Sequence, residues 1–526
     1  MTRHARRTHP DRTPSARRSR LPRVLVGALA LTVALVGCSA GSGPGTAGGS
    51  PTGTGTAAGT DAVTIGLVAE PASLDFTTSD GAAIPQALLV NVYQGLVALD
   101  QKGEIVPALA RSWTVSPDRR TYTFDLVPDA TFSNGARFTA ADAVFSINRV
   151  KTDWTTSLKS AMDVVSSAQA VSPTQLRVTL SRPSNDWLYR MTTRIGAMFS
   201  RTGVAALATK PVGTGPYELS AWRRGDAIVL KRRADYWGRL PHFATVTLRY
   251  FKDPTALNNA LLSGTIDVIG TVQAPESLGQ FTGDKRFRVI EGVTNGEVLL
   301  AFNDGKAPFT DRRVRQGIRY AINHKALLDS CWAGRGTLIG SMVPPTDPWY
   351  EDLTGLYPYD PQRARQLFTQ AGVVGKTLRL RLPTLPYAIS CGQVVASQLK
   401  QAGLDVRIDQ LEFPAQWLSQ VFTDADYDMS IIAHVEPRDM GAVFGNPKYY
   451  TRYDNTRFQA LLTAADSGSA QQQVRDMKAA ARLLSQDAAA DWLFLLPNLI
   501  VADRDITGLP RNAIGEAFDL TALARG

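Results

Sequence analysis

At 526 residues the chain has room for several domains of ordinary size, each with its own core, and 44% hydrophobic with 20% charged residues excludes a disordered polymer. The net charge of +10 points to nucleic acid only until it is located: residues 1–23 carry eight Arg against one acid, Asp11. That leaves about +3 on everything else, with no nucleic-acid motif, so a basic binding face is excluded.

The Arg-rich start is followed by the apolar run Val24 to Val36, too short to span a bilayer stably. It ends in Leu35-Val36-Gly37-Cys38, which resembles the bacterial lipobox, where a signal peptide is cut before the Cys. The expectation is a signal peptide over 1–37 and a lipidated Cys38 that begins a flexible linker over 38–60. That linker is Gly, Ser, Thr, Pro and Ala with scarcely a large side chain, so it cannot bury enough apolar surface to offset ordering. With Cys38 lipidated, Cys331 and Cys391 remain as an even pair in an oxidising compartment. A disulfide is expected, and two separate buried thiols are the competing reading.

The folded part opens with the strand Ala62–Leu67, then Glu70-Pro71-Ala72-Ser73-Leu74-Asp75, then a helix through Leu88, Leu89 and Val92 that ends in Tyr93-Gln94-Gly95-Leu96. The stretch from Glu104 to Arg149 is the most informative. Tyr122, Phe124 and Leu126 alternate with Thr123 and Asp125, the period of a half-buried strand. Turns are expected at Pro117-Asp118 and Asn134-Gly135. Thr139 stands three residues before Asp142, a variant capping box that opens a helix through Ala143, Phe145 and Ile147. Gln175–Leu180 reads as another strand. Gly213-Thr214-Gly215-Pro216-Tyr217 lacks the spacing and the Lys-Ser/Thr of a phosphate loop and reads as a tight turn into a strand.

Within this stretch Pro107, Leu109, Ala110, Ser112, Trp113, Tyr122, Thr123, Phe124, Phe132, Asn134, Gly135, Phe138, Thr139, Ala140 and Asp142 resemble the family 5 extracellular solute-binding proteins. These are the peptide/nickel-type receptors of ABC importers, here in an actinobacterial-like lipoprotein form. Gly213–Tyr217, Arg233-Ala234-Asp235-Tyr236-Trp237-Gly238 and Pro308-Phe309-Thr310-Asp311 follow the same family. The resemblance implies an α/β, periplasmic-binding-protein-like fold of two lobes with a hinge plus an inserted small α+β domain. Lobe I would take 61–95 with 205–290 and 493–526, the small domain 96–204, and lobe II 291–492. In lobe II, Leu378–Leu382, Gly392–Ala402 and Leu404–Ile408 read as strand, helix, strand, which implies parallel pairing. A helix is expected to end near Asn323-His324-Lys325.

The resemblance further implies a non-enzymatic receptor, without a cofactor and monomeric, that closes over a short peptide and delivers it to a membrane permease and its ATPase. It would sit outside the cytoplasm, lipid-anchored to the outer face of the bacterial cell membrane. Nickel chelate, haem and oligosaccharide are alternative cargoes; an exported hydrolase is a remote alternative. Ser397-Gln398-Leu399-Lys400 is formally an S-x-x-K word, but it lies on a helix face with no partner motif.

Cleft loops of α/β lobes sit at strand ends, which singles out Ile431-Ile432-Ala433-His434-Val435-Glu436-Pro437-Arg438-Asp439. The peptide-binding members place an aromatic residue and an Asp hereabouts; this chain departs from them with His434, Glu436, Arg438 and Asp439. Glu436 suits a cationic group of the ligand, Arg438 an anionic one, and together a zwitterion. The alternative is an internal Glu–Arg pair bracing the loop. Asn303 and Tyr387 sit at comparable loop-like positions. His242, His324 and His434 are far apart in sequence, so no metal site is expected, although a single imidazole can touch a chelated metal.

Overall fold

A computed structural model describes residues 61–526; the signal-peptide, Cys38 and linker expectations lie outside them. Three sheets organise these residues. The first has seven strands in the order Phe287–Gly292, Asn498–Asp503, Val268–Ile269, Ala62–Leu67, Thr245–Tyr250, Ala227–Arg232 and Tyr217–Arg223. Ala62–Leu67 pairs in parallel with both of its neighbours, and the other pairings are antiparallel.

The second sheet has five strands in the order Asp405–Leu411, Thr377–Pro383, Met429–His434, Glu297–Phe302 and Ala490–Leu495. Thr377–Pro383 and Asp405–Leu411 are parallel, joined by the helix Pro386–Ala402, the crossover that the strand–helix–strand alternation implies. The third is an antiparallel sheet of Ala110–Val115, Thr121–Leu126, Gln175–Leu180 and Val165–Ser172. On it packs the helix Ala140–Asp153, whose start carries the capping box: the Asp142 carboxylate accepts from the Thr139 N–H at 3.0 Å.

Apolar side chains divide the body differently from the sheets. One continuous core joins the four-stranded sheet to the seven-stranded one, running from Val63, Ile65 and Leu67 to Phe124, Phe132 and Ile147. The five-stranded sheet has separate cores on its two faces. Val298, Leu300 and Phe302 point to one, while Leu299 and Ala301 point to the other, the two-residue period of a strand expressed within a fully buried run. Where the small domain meets the second lobe, the hydrogen bonds across the seam are polar. Asp466 accepts from Ser184 and Arg182, and Arg119 donates to the Ser467 and Gly468 carbonyls.

The chain passes between the two larger sheets at 293–296 and again at 496–497. The passages are bonded to each other: Thr294 Oγ1 donates to the Leu496 carbonyl at 2.5 Å, and the Leu496 N–H to the Gly296 carbonyl at 2.8 Å. The expected boundary at residue 493 is corrected here. Ala490–Leu495 pairs with Glu297–Phe302 and belongs wholly to the five-stranded sheet, because its unbroken burial needs cores on both faces. The helix expected to end near Asn323 is two helices, Arg312–Ala321 and His324–Cys331, with the Asn323 side chain capping the second.

Gly213 and Gly215 explain the tight turn into Tyr217. A Cβ on Gly213 would lie 2.0 Å from the Val92 carbonyl oxygen, and one on Gly215 would lie 2.4 Å from that of Asn91. Cys331 and Cys391 are joined in a disulfide that ties the helix His324–Cys331 to Pro386–Ala402. Among the described residues no helix is long and apolar enough to cross a membrane.

Candidate functional site

A cavity of about 370 Å³ lies where the two chain passages, the small domain and the carboxy-terminal segment meet. Its wall includes Gln94 and Gly95, Thr192 and Arg194, Thr294–Gly296, Val435 and Glu436, and Glu516. The volume is that of a small-ligand site. Its charged groups are one base, Arg194, against Asp100, Glu436, Glu516 and Asp519, so the wall carries an acidic excess.

Arg194 touches all three parts of the fold. It lies in the short turn Arg194–Gly196 of the small domain and is almost fully buried. Its guanidinium pairs with Glu516 of the carboxy-terminal segment at 2.6 Å and with Glu436 of the second lobe at 3.2 Å. Burial works to raise the Glu436 carboxyl, but the Arg194 guanidinium foremost outweighs it and holds it below its ordinary value. Glu436 is thus an anion in the cavity wall, with part of its side chain open.

Behind Glu436 the second lobe holds a buried polar cluster. Glu297 begins its strand directly opposite His434 in the antiparallel ladder, and both side chains point to the face that carries Leu299, Ala301 and Ile432. The ring of His434 stacks on Tyr450 with Nε2 2.9 Å from the Tyr450 hydroxyl, which leaves Nδ1 facing Asp439 Oδ2 at 3.8 Å. Burial pushes the imidazole down to about 4, so it is neutral at physiological pH. Glu297 and Asp439 are both pushed well up, first by burial and then by neighbouring carboxylates. Oε2 of Glu297 and Oδ2 of Asp439 are buried without a hydrogen-bond partner.

The sequence candidates divide accordingly. Glu436 lines the cavity; His434 and Asp439 lie just behind it. Arg438 does not face the cavity. It sits at φ +54°, a left-handed conformation unusual for Arg, and its guanidinium lies 3.7 Å over the Tyr189 ring and 4.9 Å from that of Trp349. Its acid is Asp347 at 3.7 Å, so Arg438 is not placed to meet a ligand's anionic group as expected, and the alternative, a Glu436–Arg438 brace, gives way to Glu436–Arg194. The turn at Arg438 also presents carbonyls outward, and Arg190 of the small domain donates to those of Pro437 and Arg438.

Asn303 follows Phe302, at the end of its strand opposite Glu297, about 20 Å from His434 at a strand's rise per residue. Its amide donates to the carbonyls of Ala425 and Tyr427 and braces a loop. Tyr387 is buried in the helix-side core, and its hydroxyl accepts from the Ala433 N–H at 2.9 Å, which supports the strand from behind. Spacing between histidines argued against a metal site. The fold instead gathers one histidine with carboxylates: ligand atoms of His434, Glu436 and Asp439 lie within 4.8 Å of one another. Sequence reasoning missed Arg194 and Glu297. The available signal for Glu297 was a lone acid at the head of the apolar run Glu297-Val298-Leu299-Leu300-Ala301-Phe302; Arg194 carried none.

The family model described as bacterial extracellular solute-binding proteins, family 5 Middle, matches residues 104–457. The nickel-binding periplasmic protein of Escherichia coli (strain K12) is 29% identical over 352 residues, covering 60% of this chain and 65% of that protein. The glutathione-binding protein GsiB of the same strain is 30% identical over 312 residues, 57% of this chain and 60% of its own length. The matched region therefore spans less than two thirds of either relative. The periplasmic binding protein DppA from Helicobacter pylori, solved in complex with peptide STSA, shares the fold with a TM-score of 0.80 at 22% identity, over 88% of this chain and 98% of that one.

Proposed function

The chain belongs to the bacterial extracellular solute-binding proteins, family 5, and on that premise we propose that it captures short peptides between its two lobes for an ABC importer. The observation that carries this reading is the Arg194–Glu436 pair in the wall of the 370 Å³ cavity. Arg194 already has a second acid, Glu516, at 2.6 Å. Glu436 can therefore turn to a ligand's α-ammonium without stranding the guanidinium, and the acidic excess of the wall favours that cationic end.

Closure follows from the same layout. The two hydrogen-bonded passages at 293–296 and 496–497 act as a hinge, and the second lobe shares no apolar core with the rest, so opening breaks up no core. A ligand that touches Glu436 on one lobe and Gln94 or Glu516 on the other favours the closed form by that differential contact. The closed receptor, tethered through lipidated Cys38 outside the cytoplasm, then docks on a permease whose ATPase supplies the energy.

Calorimetric titration tests the assignment. Glu436→Ala is expected to weaken peptides with a free amino terminus by about 30-fold or more, the cost of removing one partner of a partly buried charge pair, and to spare N-acetylated ones. Equal loss for both removes Glu436 from the ammonium role. A thermal-shift panel of di- to pentapeptides, nickel–histidine and haem tests the cargo class, since a ligand bound only by the native state raises the midpoint.

A further inference from the structure

We infer that His434, Asp439 and Glu436 form a site for a divalent d-block cation, bound directly by the protein without an organic chelator. Three independent features converge on it. The first is the donor set: an imidazole and two carboxylates whose ligand atoms lie within 4.8 Å of one another. Ligand atoms sharing a tetrahedral ion at about 2.0–2.2 Å stand about 3.4 Å apart, so His434 Nδ1 and Asp439 Oδ2, at 3.8 Å, close onto an ion with a shift of a few tenths of an ångström, while the set as a whole, spread over up to 4.8 Å, needs the half-open Glu436 side chain to swing in by about 1 Å.

The second feature is the support behind the donors. Nε2 of His434 is engaged by the Tyr450 hydroxyl at 2.9 Å. With the Nε2 proton donated there, the Nδ1 lone pair is directed at Asp439, which is how an outer partner sets the tautomer of a metal-binding imidazole. In that tautomer, and without a cation, the lone pair faces a carboxylate oxygen that has no hydrogen-bond partner.

The third is local charge. Every neighbouring base already has an acid: Arg190 has Asp186 at 2.8 Å, Arg438 has Asp347 at 3.7 Å, and Arg194 has Glu516 at 2.6 Å. Glu297, 2% exposed and directly across the ladder from His434, adds a further carboxylate whose Oε2 is unpartnered. A divalent ion neutralises this excess where a monovalent one leaves part of it. The imidazole selects zinc, cobalt or nickel over calcium and magnesium, which take oxygen ligands. Glu436 is the one of the three that also lines the cavity, so an ion held here engages the same carboxylate that the proposed function offers to a ligand's ammonium, and the two readings are measured on separate preparations.

The test uses the full chain, stripped with EDTA and titrated with Zn2+ against a chromophoric chelator, with bound metal counted by mass spectrometry after desalting. One Zn2+ per chain is expected, with Mg2+ and Ca2+ failing to compete. His434→Ala and Asp439→Asn should each weaken it about 100-fold or more, and Tyr450→Phe about tenfold, within the range for an outer partner. A control carrying H4A, H9A and H324A should bind as the parent does. Failure to retain Zn2+, or parent-like affinity in Asp439→Asn, overturns the site. Should either ligand variant not fold, X-ray absorption at the zinc edge of the loaded parent decides: one imidazole among light-atom ligands is expected, and none or several overturns it. The receptor reading is tested separately, by the peptide titrations on metal-free protein.

Discussion

The second lobe sets two histidines beside two buried aspartates, and their surroundings differ. His324 Nε2 lies 2.9 Å from Asp491, whose carboxylate also has Arg319 at 3.3 Å; that guanidinium stacks over Tyr357 and Trp492. His434 lies 3.8 Å from Asp439, which has no Arg or Lys within salt-bridge distance among the described residues and faces further acids, Glu436 and Glu297. The first group balances its charge within the core and joins the helix pair Arg312–Ala321 and His324–Cys331 to the strand Ala490–Leu495. The second is left with more carboxyl groups than bases beside a cavity. Buried ion pairs therefore do not mark a site by themselves; the unbalanced one does.

This contrast can be broken by substitution. Asp491→Asn should cost about 3–5 kcal/mol in denaturant unfolding, because it leaves Arg319 buried and uncompensated. A loss under about 1 kcal/mol would remove that network from a structural role. His324→Gln, at the half-buried edge of the same group, should cost about 1 kcal/mol. Asp439→Asn, measured with chelator present, should change stability by less than about 0.5 kcal/mol or raise it, since it removes a buried carboxyl whose Oδ2 has no hydrogen-bond partner. If it costs as much as Asp491→Asn, the two clusters are alike and the comparison fails.

The pH dependence gives the smallest and sharpest test. Glu297 and Asp439 have folded values raised above their unfolded ones, so between the two the native state holds more protons than the unfolded chain. Their contribution is therefore present at acidic pH and is lost as pH rises from the ordinary carboxylate range through the raised values. Asp439→Asn should flatten that decline in metal-free protein, and an unchanged profile would show that Asp439 titrates normally.

Much of the fold was legible in the sequence. The alternation at Tyr122–Leu126, the capping pair Thr139 and Asp142, and the glycines of Gly213–Tyr217 act through neighbours a few residues away, and each local signal names its own structure. At the site, legibility stopped at the strand end. The apolar run through Ile431 and Ile432 located the loop, and Glu436 was read as facing a ligand. Arg438 was assigned beside it because adjacency in sequence was all there was to use. A left-handed turn at that residue sends its side chain to Tyr189 instead.

What the sequence by itself determined, then, is the set of strands, helices and turns and the family they resemble, since periodicity and capping are short-range physics. What only the tertiary structure decided is who meets whom around the cavity. Arg194 reaches Glu436 across 242 residues, and Glu297 stands opposite His434 because two strands distant in sequence share a ladder. Charge balance is a property of a volume, and no stretch of chain contains that volume.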